Sequence, residues 1–180
     1  MIAQMLKSGD VDLAIGGPLG ETWDRLDTWP MFRESFDLIV GADHDFTRHN
    51  DPVLVTELIR EATLLLHSGA DPTEAEMIQL SEAGINTNKV HEVDSDRDLE
   101  ALITANVGIG LAPSSALQSQ AFRHLPCSGL DLTRTVAVYT VAGRARTREA
   151  GVLLALLRGA DWSNVLGCSG ERAGGIENRA

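Results

Sequence analysis

The chain has 180 residues, 26 of them acidic and 15 basic, for a formal charge of −11. Hydrophobic residues make up 43% and charged residues 23%, the balance of a globular domain with a buried core and not of a disordered chain. No apolar run approaches the roughly 18–20 residues that span a bilayer, and a chain this acidic repels phosphate backbones, so neither a membrane nor direct nucleic-acid contact is expected. The acidity is uneven: residues 43–124 hold 14 acids and 5 bases, whereas 125–160 hold 2 acids and 5 bases. Residues 1–9 lack a basic stretch leading into an apolar core, so no secretory signal and a cytoplasmic location are expected. Cys127 and Cys168 fit no CxxC or zinc spacing and read as unpaired thiols.

Short apolar runs alternate with amphipathic stretches, the pattern of an α/β fold. IAQMLKS at 2–8 predicts a helix stopped by Gly9, and VDLAIGG at 11–17 a buried strand running into a glycine turn. Residues 18–35 show no clean period and read as irregular. FDLIVGA at 36–42 is a strongly apolar strand. The polar stretch ADHDFTRHNDP at 42–52 reads as a crossing between two lobes. A short helix TELIR, capped by Thr56, leads to the strand ATLLLH at 62–67 and a turn SGADP. A helix at 73–83 ends at Gly84, and NKVHEV at 88–93 is a half-exposed strand. The clearest helix follows at 94–108, with Ser95 or Asp96 able to accept its first backbone N–H bonds. GIGLAP at 108–113 is a strand, and Pro113 can open a helix SSALQSQAF. RTVAVYTVAG at 134–143 alternates as a strand. A helix over 147–157 would turn Val152, Leu153, Leu156 and Leu157 inward.

The chemistry-bearing motifs are few. GxSxG, HExxH, GxxxxGK[ST] and a complete GxGxxG are all missing from the sequence. Gly108-Ile109-Gly110 matches half of a dinucleotide fingerprint but enters a strand instead of leaving one, so these glycines read as packing positions. His67 and Ser68 are adjacent, and adjacent strand residues point to opposite faces, which suits no nucleophile–base pair. His44, His49 and His91 match no metal spacing. No catalysis, metal or cofactor is therefore expected. One device does repeat: a strand runs into a Gly/Ser/Pro turn at Gly16-Gly17-Pro18, Ser68-Gly69, Asp94-Ser95 and Pro113-Ser114. Turn amides and helix N-termini at strand ends are where open α/β sheets hold anionic or polar ligands.

VHEVDSDRDLEALITANVGIGLAPSSAL at 90–117 resembles the effector-binding domain of LysR-type transcriptional regulators. LKSGDVDLAIGG at 6–17, FDLIVGADHDF at 36–46 and TRTVAVYTVAGRARTREAGVLLALL at 133–157 resemble further stretches of that family in the same order. Asn106 stands where the family usually has glycine, and Asp45 where it usually has proline. The resemblance implies a two-lobed fold of the type II periplasmic-binding-protein kind with a small effector in the cleft. Lobe one maps to 1–43 plus 124–160 and lobe two to 44–123; the residues after them, 161–180, are rich in glycine without apolar periodicity and read for the most part as a disordered tail. The resemblance also implies that lobe one lacks the family's first strand, first helix and second strand, and that the winged helix-turn-helix is absent.

The ligand-binding residues carried over are Gly16 and Gly17 from lobe one, with His67, Ser68, Gly69, Asp94 and Ser95 from lobe two. The expected partner is a small polar or anionic effector, held mainly by neutral donors because Arg97 is the only arginine close in sequence to these turns. A homo-oligomer is a further expectation. A transport-type solute-binding protein, or an enzyme on the same fold, is the alternative.

Overall fold

The computed structural model describes residues 2–19, 23–48, 51–61, 63–67, 74–86, 90–116 and 119–163. The first helix, α1 (Ile2–Ser8), ends where Gly9 adopts φ +89° and its N–H bonds Met5 O at 3.1 Å. Arg144 donates to the carbonyls of Leu6 and Lys7, supplying partners that the last turn lacks. The next strand, β1 (Leu13–Gly16), is only partly buried because it forms the edge of the sheet.

The largest departure from expectation is β2 (Leu26–Gly41), sixteen residues long, which absorbs the segment 26–35 read as irregular. Pro30 cannot donate to a ladder, and the register with the neighbouring strand slips between Pro30 and Phe32. A bulge is where a strand tolerates proline, and it breaks the alternation that periodicity detects. Residues 26–35 pair antiparallel with β9 (Thr133–Val141), and 36–41 pair with β6 (Ile109–Pro113) on one edge and β7 (Phe122–Leu125) on the other. The strand thus changes partners between Ser35 and Phe36, ahead of the polar stretch at 42–52 where a crossing was expected.

Beyond β6 the sheet continues through β4 (Leu64–His67) and β5 (Val90–Val93), all three parallel. A separate parallel pair joins β3 (Val53–Leu54) to β8 (Cys127–Ser128). The helices α2 (Val55–Glu61), α3 (Glu74–Glu82) and α4 (Asp96–Thr104) accompany these strands. Thr56 lies inside α2 and does not cap it; Glu57 Oε2 instead accepts from Leu54 N at 3.0 Å. Alternation along β2 sends Leu38 and Val40 to one core and Ile39 to another, with Leu99 and Ile103 of α4. The helix expected at 114–122 is not formed: 114–116 is a turn, and Phe122 is a buried strand residue. Gly108 and Gly110 are packing positions, as expected. A Cβ at 110 would lie 2.7 Å from Ile103 Cδ1, and one at 108 would lie 2.6 Å from Thr63 O.

The last helix, α5 (Arg148–Gly159), is capped by Thr147, whose Oγ accepts from Ala150 N and donates to Asp12 Oδ2 at 2.8 Å. These bonds from Thr147 hold the Asp12 carboxyl below its usual range. The helix buries a face centred on Leu154, and of the four residues expected inward only Leu157 is half-buried. Leu154 is 6% exposed, whereas Val152, Leu153 and Leu156 face outward, Leu156 at 66%. The orientation follows from anchors at both ends: Asp12 at the first turn, then Arg158 over the Trp29 ring at 5.0 Å and Trp162 against Phe32. Leu154→Ala should accordingly cost about 2–4 kcal/mol. Leu156→Ala should stay within about 0.5 kcal/mol of the parent in urea unfolding; equal losses would reverse this assignment of faces.

Candidate functional site

Parallel pairing of β4, β5 and β6 brings the C-terminal ends of the three strands to one edge of the sheet. His67 closes β4 beside Val93 of β5, and Pro113 of β6 lies opposite Phe36, where β2 changes partners. The turn after β6 therefore begins beside this partner change. There Ser114 N bonds Ser35 O at 2.9 Å, and Ser115 N bonds Glu34 Oε2 at 3.2 Å.

Glu34 is the most deeply placed charge of this region, 1% exposed. Its second oxygen, Oε1, accepts from Arg134 Nε at 2.8 Å, and the two residues face each other across the β2–β9 ladder. A carboxylate withdrawn from water this far is tolerated only when paired and hydrogen-bonded. Arg134 lies in turn against the turn that follows β1: a Cβ on Gly17 would stand 3.1 Å from Arg134 Cδ and 3.3 Å from its Nη1. Gly17 does not have a positive φ, so what its lack of a side chain provides is room. Tyr139 from β9 donates its hydroxyl to Gly17 O at 2.9 Å, and burial raises its ionisation above the ordinary tyrosine range. Glu34 and Arg134 thus connect the turn after β1 with the turn after β6.

Of the residues predicted for the site, Gly17 reaches this junction and Gly16 ends β1 opposite Ala137. The His67 backbone, Asp94 and Ser95 lie along the same edge, with β5 two strand spacings from β6, about 10 Å. Ser68 and Gly69 lie outside the described residues, as does 164–180 of the predicted tail. Ser95 is the α4 cap: its Oγ accepts from Asp98 N at 3.1 Å and donates to Asp98 Oδ2 at 2.9 Å. With Asp94, Asp96 and Asp98 clustered there, the start of α4 disfavours an anion.

Sequence reasoning missed Glu34, Arg134 and Tyr139. Glu34 and Arg134 are separated by 100 positions, so no local spacing joins them. The expectation that Arg97 alone supplies a nearby guanidinium is corrected by Arg134. Cys127, a free thiol, is pushed up to about 11 by burial, which keeps it from acting as a thiolate nucleophile. Among the described residues no group of three His, Cys, Asp or Glu side chains has metal-binding geometry, and no helix is long and apolar enough to cross a membrane.

The family model for the LysR substrate binding domain matches residues 1–162. The chain belongs to that family. Solved structures agree on the fold, the type II periplasmic-binding-protein kind. A reduced form of OxyR from N. meningitidis is 22% identical, with a TM-score of 0.65 over 87% of this chain and 74% of that one. The BenM effector binding domain with its effector benzoate is 20% identical, with a TM-score of 0.65 over 87% and 72%. The regulatory domain of Synechocystis PCC6803 CcmR in complex with 2-PG is 17% identical, with a TM-score of 0.67 over 87% and 76%. Against a full-length BenM variant the match spans 53% of that chain. No curated protein sequence matches this one.

Placed in this LysR substrate-binding domain, the Glu34–Arg134 pair has a measurable energetic signature. Arg134→Ala strands a buried carboxylate and should cost about 3 kcal/mol in chemical unfolding. The double variant Glu34→Gln/Arg134→Gln should lose less than Arg134→Ala alone. Equal losses would mean that the pair carries no coupled charge.

Proposed function

We propose that this chain is the effector-sensing part of a LysR-type transcriptional regulator, a cytoplasmic binding module and not an enzyme. In this reading lobe one comprises α1, β1, the first half of β2, β9 and α5. Lobe two comprises the second half of β2 and the elements from β3 to β8. The effector lies between them, against Gly16 and Gly17 on one side and His67, Ser68, Gly69, Asp94 and Ser95 on the other. The observation that carries the reading is the linkage at the partner change in β2: Glu34 accepts from Ser115 N of the turn after β6 and from Arg134 Nε, and Arg134 in turn lies against Gly17 of the turn after β1. A small molecule seated between such turns shifts their relative position according to its different affinity for the two arrangements. The benzoate of the BenM domain and the 2-PG of the CcmR domain support a small polar ligand for this fold. DNA contact, in this reading, belongs to a separate helix-turn-helix and not to these residues.

Calorimetric screening of small polar metabolites against the 180-residue chain tests the reading. A binder should raise the melting temperature, and Ser68→Ala should weaken it about threefold to tenfold, the worth of one neutral hydrogen bond, without lowering the melting temperature of the free protein. Unchanged affinity in Ser68→Ala would remove that turn from the site, and no binder at all would count against effector sensing by this chain.

A further inference from the structure

We propose that Arg134 reads a negative charge on the ligand, and that the molecule this site takes carries a carboxylate. The inference deepens the effector-sensing reading and rests on it.

A guanidinium has five N–H donors in a planar fork. Glu34 engages Arg134 through Nε, the side edge of that fork. The terminal nitrogens Nη1 and Nη2 meet no acceptor among the described residues, and the side chain is 19% exposed, so the end of the fork is not sealed. Two parallel N–H groups at that end match the two oxygens of a carboxylate. The fork is also held still. Glu34 is fixed on its far oxygen by Ser115 N, so the guanidinium is preorganised and little of its rotamer freedom remains to be lost on binding.

The turn after β1 closes on the fork at Gly17. A side chain there would press on Arg134 Cδ and stand within 3.3 Å of Nη1. With only hydrogen at this position, the turn after β1 can approach the guanidinium this closely, so a group bound at the terminal nitrogens also meets the Gly17 backbone. Charge around the site is divided. The N-terminal turn of α4, with Asp94, Asp96 and Asp98, repels anions at the far end of the edge, while Arg134 presents its guanidinium at the near end. A ligand with one charged end and one neutral end therefore places its carboxylate at Arg134 and its neutral part toward Ser95 and β5. Because Glu34 already balances the guanidinium, recognition depends on the open donors and their geometry and not on excess positive charge.

The test is titration calorimetry of the full chain with benzoate, succinate and acetate, with benzamide as the neutral counterpart and inorganic phosphate as the non-planar anion. At least one carboxylate should bind, and its amide or phosphate should bind about tenfold more weakly or worse. Glu34→Gln/Arg134→Gln, which removes the charge without stranding its partner, should lose about tenfold or more in carboxylate affinity. Gly17→Ala keeps every charge and places a methyl against the fork; it should lose affinity for the carboxylate while its melting temperature stays near that of the parent. Benzamide binding as well as benzoate, phosphate binding in preference to every carboxylate, or the double variant keeping full affinity would each overturn the role of Arg134 while leaving effector sensing intact. Failure of every probe to bind the parent chain would overturn both.

Discussion

A carboxylate buried at the point where one strand passes between two sets of partners constrains the rest of this structure. Glu34 has lost its water, and an ionised group there costs several kcal/mol unless protein dipoles and an opposite charge replace the solvent. Arg134 supplies the charge and Ser115 N–H the dipole, and they arrive from distant parts of the chain. The requirement to satisfy Glu34 therefore fixes where β9 begins and how the turn after β6 folds back. Gly17 is drawn in through Arg134, and Tyr139 secures the Gly17 carbonyl. A pair of this kind adds little net stability over an apolar substitute; its contribution is the geometry it enforces.

In the proposed reading, that geometry is the point on which a bound ligand would act. β2 is continuous through the partner change, so its two halves are joined by backbone and by ladders on both sides. Main-chain bonds from Phe36 N to Leu132 O and from Ser114 N to Ser35 O place the partner change in β2 next to the turn after β6. Small rotations about such a point displace the strand ends on either side by more than they displace the point itself. Ligand groups that touch both sides are well placed to bias that rotation.

The α/β class was legible from periodicity, and the family from the order of four weak motifs. Helix ends were well placed where one residue decides them, as at Gly9 and Gly84 with their positive φ and at Ser95 with its cap. Misreadings arose where tertiary contacts overrule local pattern. Pro30 and the bulge beside it concealed the first half of β2. Pro113 looked like a helix start but ends a strand whose five residues are all buried. In α5 two faces are apolar enough to pack, and Asp12, Trp29 and Phe32 decide between them, none of which lies near the helix in sequence. The site was half legible for the same reason: glycine and serine turns announce themselves locally, whereas a buried Glu–Arg pair is created only by the ladder that joins its strands.

Glu34 holds the turn after β6 to the partner change in β2. Amide hydrogen exchange at Ser115, followed by NMR in the parent chain and in Glu34→Ala, tests it most directly. Ser115 N–H should be protected in the parent by about a hundredfold or more, and Glu34→Ala should release it while Leu111 in the middle of β6 keeps its protection. A Ser115 amide that exchanges freely in the parent, or one that stays protected after Glu34 is removed, would show that Glu34 does not hold this turn.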